Sequence, residues 1–160
     1  MDLSLLAAET TQGATMQIYH PKTGKPVEGM TVTVLSLQHE TVQAVFRKHR
    51  AAAAMRVDRQ GKPLELTEEQ TEKNAIETYQ ALIESWEGFV LDGKPLKCDK
   101  QSIAMIVSDT NKRWDWLLGD VLSFASNLSN YFRPDESGEA VVEDARLAAH
   151  KAGKGDADAV

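Results

Sequence analysis

The chain has 160 residues, of which 42% are hydrophobic and 26% charged, a balance that supports one domain with its own core and argues against global disorder. Its formal net charge of −6 argues against a duplex-binding protein, which needs a basic surface to neutralise phosphates. A single cysteine, Cys98, excludes an internal disulfide framework and a Cys-rich zinc site, and suits a reducing compartment.

The opening residues, MDLSLLAAETT, lack the basic start and longer apolar run of a signal peptide, and no stretch approaches the roughly 18 apolar residues of a membrane span. The expectation is a soluble chain that is not exported by the usual route, with residues 1–14 as a lead-in. In Thr15–Leu37 the alternation of Met16 and Ile18, then of Met30, Val32 and Val34, predicts two strands near 16–20 and 29–37. Pro21, Gly24, Pro26 and Gly29 lie between them and predict a long hairpin loop. Gln38–Val57 has helical propensity, with Val42, Val45, Phe46 and His49 on one face, and 58–66 reads as a loop. The next segment predicts a helix from Thr67 to Glu87. Thr67 and Gln70 form a capping box, Ile76, Tyr79, Leu82, Ile83 and Trp86 make its apolar stripe, and Gly88 stops it. Phe89–Leu91 reads as a short strand before an Asp92-Gly93 turn. Asp99 is a good N-cap for a helix carrying Ile103, Ile106 and Val107. A last helix is expected from Lys112 to Phe132, with Trp114, Leu117, Leu118, Val121, Leu122, Ala125 and Leu128 on its apolar side, ended by Pro134.

Residues 134–160 hold seven acids and three bases, a net −4 of the chain's −6. Their composition predicts an acidic, mobile tail in which GEAVVEDARLAAHK has transient helical propensity. The order ββααβαα predicts an α+β fold: a mainly helical single domain over 15–133, with an N-terminal β-hairpin and a short second strand/turn element.

Little in the chain suggests catalysis. His20, His39, His49 and His150 fall in no metal-ligand spacing, and Gln43 stands where a second histidine would complete a zinc motif begun by His39-Glu40. Asp92, Asp99 and Asp109 suit turns and caps, and Cys98 has no histidine partner. No phosphate-binding loop, dinucleotide fingerprint or nucleophile elbow is present. No enzyme, cofactor or metal is expected. The basic run Arg47–Arg50, with Arg56 and Arg59 beyond, spreads round a helix and suits a solvated face or an ion-pair partner for the acidic helix after it. Trp86 and Trp114 fit a core. Trp116 lies about 200° round the helix from Trp114 and is expected at an interface, so that Trp116→Ala should weaken partner binding and leave stability nearly unchanged.

The run ESWEGFVLDGKPLKCDKQSIAMIV, followed by WDWLLGDVLSFASNLSNYF, resembles the tail assembly chaperones of long-tailed bacteriophages. In that family a Trp-Gly-type step leads into a short strand and an Asp-Gly turn, then an apolar helix and a terminal helix ending in an aromatic pair. The matching positions are Trp86, Gly88, Asp92, Gly93, Pro95, Ile103, Ile106, Val107, Tyr131 and Phe132, and near the N-terminus Ile18, His20, Pro21, Thr23, Gly24 and Pro26. The likeness spans residues 16–133. It departs from the family where Glu87 separates Trp86 from Gly88 and where Cys98-Asp99 replaces an aromatic-Ser helix opening.

The resemblance implies a host-cytoplasmic protein, absent from the mature virion, that binds and solubilises the tape measure protein and is displaced as the tail tube protein polymerises. On that reading the partner-binding residues are Trp86, Phe89, Trp116, Leu118, Tyr131 and Phe132, with no nucleic acid or membrane involved. It also implies a −1 frameshifted, longer form as a partner: Ala152-Gly153-Lys154 written as GCG GGA AAG contains the heptamer GGGAAAG, and a gene with no slippery heptamer over codons 150–156 would refute this. The alternatives are a structural tail or virion protein, which the low strand content disfavours, and a cellular adaptor or regulator with a helical core.

Overall fold

The structure, a computed structural model, describes residues 2–132; the acidic tail and the Ala152–Lys154 site lie outside them. The fold is α+β: the described residues form four α-helices, a three-stranded antiparallel sheet and a two-stranded hairpin. Strands β1 (Ala14–Tyr19) and β2 (Pro26–Val34) form the expected N-terminal hairpin. Its turn is tighter than the expected loop. His20 Nδ1 accepts the backbone N–H groups of Lys22 and Thr23, and Gly24 takes a positive φ of 65°. Pro26 opens β2 opposite Tyr19, where β2 has no second neighbour and a missing N–H leaves nothing unpaired. The residues expected as loop are a wide irregularity inside β2, and the Gln17 side-chain amide fills it by donating to the carbonyls of Val27 (2.7 Å) and Met30 (3.1 Å).

β2 leaves the sheet after Val34, three residues before the expected end, because the next amides are used elsewhere. Leu35 N–H donates to Leu82 O and Leu37 N–H to Ala125 O, carbonyls at the ends of two helices that have no partner within their own helix. His39 then starts α1 (Glu40–Ala54): its Nδ1 accepts from Thr41 N–H, and its other ring nitrogen lies 3.2 Å from Thr11 O. With Nδ1 as acceptor, the proton is on Nε2, which donates to Thr11. The His39-Glu40 pair is thus a cap. Thr67 caps α2 (Glu68–Leu82) by accepting from Gln70 N–H, yet the reciprocal half of the capping box is not made, and Gln70 Oε1 is buried without a partner.

The main departure from the sequence reading follows α2. The expected helix to Glu87 ends at Leu82, and Ile83–Glu87 is β3, the third strand, in the order β1-β2-β3. Val34 pairs with Ile83, Thr33 with Ser85 and Val32 with Trp86, so Glu84 is an extra residue at a bulge. The bulge brings Ile83 and Trp86 to the same buried side although they are three residues apart. That spacing is also helical, which is why the stripe read straight through from α2.

β4 (Val90–Leu91) and β5 (Lys94–Pro95) close the expected hairpin through Asp92 and Gly93, whose φ angles of 51° and 77° suit the two-residue turn of this handedness. Asp99 caps α3 (Lys100–Val107) as expected, accepting from Ser102 N–H at 2.8 Å. The last helix is shorter than expected. α4 (Asp115–Ser126) starts after Lys112, which has φ 53°, and stops where Asn127 turns extended and caps a 3₁₀ turn, Leu128–Tyr131. Trp114 is therefore a half-buried N-cap residue under the Arg113 guanidinium (5.7 Å), and Leu122 and Leu128 are exposed, not part of the apolar side.

Helices α2, α3 and α4 cover one face of the sheet, and Ile18, Val32, Val34, Leu82 and Val121 are the most deeply buried of the interlocking side chains. A void of about 10 Å³ lies among Val32, Trp86, Ile106 and Leu118, no larger than a water molecule and wholly apolar, so it offers no small-molecule site. No helix among the described residues is long and apolar enough to cross a membrane.

Candidate functional site

Four of the six residues expected to bind a partner are core. Trp86 and Phe89 stack with centroids 4.7 Å apart and planes 7° from parallel, and Trp86 Nε1–H donates to Leu96 O at 2.7 Å. Leu118 is buried in the core, and its carbonyl accepts the Tyr79 hydroxyl at 3.2 Å. Tyr131 is buried edge-on to Phe124, its hydroxyl donating to Val34 O; burial pushes that hydroxyl's pKa well above the usual tyrosine value. Trp116 is half-buried against the core, where the sequence reading had it pointing away. Phe132 is exposed and pairs through its backbone with Ala8. Of the set, Trp116 and Phe132 have accessible surface.

The Trp86–Gly88 step is a built feature. Gly88 has φ 78°, and a Cβ there would sit 2.1 Å from the Gly29 carbonyl oxygen. Only a glycine lets β3 turn back past β2 at that distance and lay Phe89 on Trp86.

The polar clusters read as structural. Lys48 (3.0 Å) and His49 (3.1 Å) both bond Glu77, tying α1 to α2 and holding the Glu77 carboxyl below its usual pKa through those side-chain hydrogen bonds. Asp109 accepts the backbone and guanidinium N–H groups of Arg113, which lower its pKa. Burial pushes the Cys98 thiol pKa up, away from a reactive thiolate. Among the described residues no group of three or more His, Cys, Asp or Glu side chains is placed to hold a metal.

The surface carries more information than the interior. At the C-terminal end of α1, residues Ala51–Ala54 and Met55 are all exposed, and the chain then folds on itself. Asp58 N–H donates to Lys62 O, Leu64 N–H to Arg56 O and Gly61 N–H to Asp58 O, and Asp58 Oδ1 accepts the amides of Gln60 (2.8 Å) and Lys62 (2.9 Å). Val57 and Pro63 bridge across. This arm is ordered by its own backbone bonds, not by burial, and it presents Met55 (85% exposed), Val57, Leu64 and Leu66 to solvent. Arg56 Nη1 in the arm and Gln70 Oε1 in α2 are each buried without a hydrogen-bond partner.

A second apolar patch gathers Leu3, Leu5 and Leu6 of an N-terminal 3₁₀ turn, and it is linked to Phe132 by the Ala8 bridge and by Glu9 N–H donating to Tyr131 O. The sequence predicts 58–66 as a loop and 1–14 as a lead-in, and apart from Arg59 beyond the basic run it marks no residue in either. The available signal was the Val57, Leu64, Leu66 apolar set flanking an Asp58–Gly61 turn. No protein-family model, no curated protein and no solved structure matches the chain.

Proposed function

We propose that this protein is a tail assembly chaperone of a long-tailed bacteriophage: in the host cytoplasm it coats the tape measure protein and gives way to tail tube subunits, without entering the virion. The observation that carries the reading is the arm, an apolar surface held in shape and left open to solvent. A tape measure protein is a long helical chain with apolar stripes that would aggregate unprotected. A helix laid against Met55, Val57, Leu64 and Leu66 buries both apolar faces. Each contact of this size is weak, and many copies along one helix supply the avidity while each stays displaceable. The Trp86–Gly88 step and the Asp92-Gly93 turn, which carry the family likeness, support the reading as parts that shape the domain on which the arm stands.

The test is co-expression with the long helical protein encoded beside this gene. Co-elution in several copies with a soluble partner supports the proposal. An insoluble partner with nothing co-eluting refutes it, and a gene position far from any tube and tape measure genes favours an adaptor or regulator.

A further inference from the structure

We propose that the helix received by the arm is an acidic one: an amphipathic helix whose apolar stripe lies on Met55, Val57, Leu64 and Leu66 and whose flanking Asp and Glu side chains meet Arg50, Arg59 and Lys62. This rests on the arm being the partner-binding surface and adds the charge of the partner.

The fold uses some of its cations and leaves others over. In the basic run ahead of the arm, Arg47 pairs with Glu40, and Lys48 and His49 pair with Glu77. Arg50, Arg59 and Lys62 are exposed and make no ion pair among the described residues. Arg56, between them, has an Nη1 with no acceptor among the described residues.

The carboxylates near these cations in sequence do not neutralise them. Asp58 Oδ1 accepts the amides of Gln60 and Lys62, and Glu65, Glu68 and Glu69 are exposed and make no ion pair with the arm. Residues 50–66 hold four cations against two carboxylates, a net +2 in a chain of −6. The remainder of the chain is the more acidic for it. An acidic helix is therefore repelled by the body and admitted at the arm, which fixes where it docks. An anionic bilayer is a poorer match. It sets negative charge against the whole arm, Asp58, Glu65 and the Glu68-Glu69 start of α2 included, whereas a helix places its carboxylates only beside its stripe.

The test is a ¹⁵N NMR titration of the full chain with two synthetic helices of about 18 residues, long enough to hold their structure. They share one leucine stripe and differ only in the flanking residues, Glu in one and Lys in the other. The Glu helix should move the amide signals of Met55, Val57, Leu64 and Leu66 and bind about tenfold more tightly than the Lys helix, the difference expected from two exposed ion pairs that the Lys helix replaces by repulsion. Added salt should shrink the ratio. Arg50→Glu with Arg59→Glu should cancel it. Both side chains are exposed and make no ion pair among the described residues, so the fold is kept; should the double variant fail to fold, Arg59→Gln alone should still reduce the ratio. Equal affinity for the two helices overturns the proposal, as do arm signals unmoved by the Glu helix or moved more strongly by phosphatidylserine vesicles. A Glu helix bound on the arm together with a failed co-expression sinks the tail-assembly reading alone. Capture of the tape measure protein with no preference between the two helices sinks this one alone.

Discussion

At the residue scale, the two glycines that face each other across β2 and β3 separate conformation from contact. Gly29 and Gly88 both have positive φ, but a Cβ on Gly29 meets nothing within 4 Å, whereas one on Gly88 strikes the Gly29 backbone. Gly29→Ala is expected to cost about 1 kcal/mol of stability and Gly88→Ala more than about 3 kcal/mol, because backbone cannot swing aside as a side chain does. Urea titration of the two variants checks the ratio; equal losses would mean that the close approach is not there. Trp116 gives a second test. Half-buried against the core, it is expected to cost roughly 1–3 kcal/mol when cut to alanine, in place of the near-zero loss that an exposed anchor would give. A melting temperature unchanged in Trp116→Ala would restore the exposed placement.

At the element scale, α1 has a polar tie to α2. Val42 is its one fully buried residue, and its tie to α2 runs through Lys48, His49 and Glu77. Glu77 has a folded pKa below its usual 4.5 because the Lys48 and His49 side chains bond the carboxylate. A depressed acid pKa stabilises the fold fully above the ordinary value and loses that contribution as pH falls toward the folded one. Glu77→Gln is therefore expected to lower stability at neutral pH by at most about 1 kcal/mol, the pair being partly solvated, and to match the wild type once the pH is well below 4.5. Denaturation midpoints at pH 7 and pH 3 measure this; a deficit that persists in acid would show that the bond to Glu77 is not what the variant removed.

At the scale of the whole molecule, the interior is closed and the exterior carries the open apolar surface. Met55 and Leu64 add to that surface and not to the core, so Met55→Ser with Leu64→Ser is expected to leave the melting temperature within about 2 °C while abolishing capture of a helical partner. A large drop in melting temperature would place the arm in the fold's stability instead.

Some of this was legible from the residues alone, where the signal is local. The caps at Thr67 and Asp99, the Asp92-Gly93 turn and the alternation of β1 depend on neighbours within four residues, and so does the α+β class to which they sum. The residues after Leu82 were not legible, because helix period and a bulged strand both place Ile83 and Trp86 on one side, and only pairing with Val34 and Val32 separates the two. For the same reason the aromatic residues could not be sorted. Trp86, Phe89 and Tyr131 are apolar enough for either a core or an interface, and their burial comes from β2 and α4, brought to them from far along the chain. The arm was hidden in the opposite way: a polar-looking loop whose cross-bridge between Val57 and Pro63 holds Leu64 and Met55 in the open. Local backbone preference is encoded residue by residue. Exposure is a property of what the remainder of the chain covers, and that was decided only when the sheet and helices closed on one another.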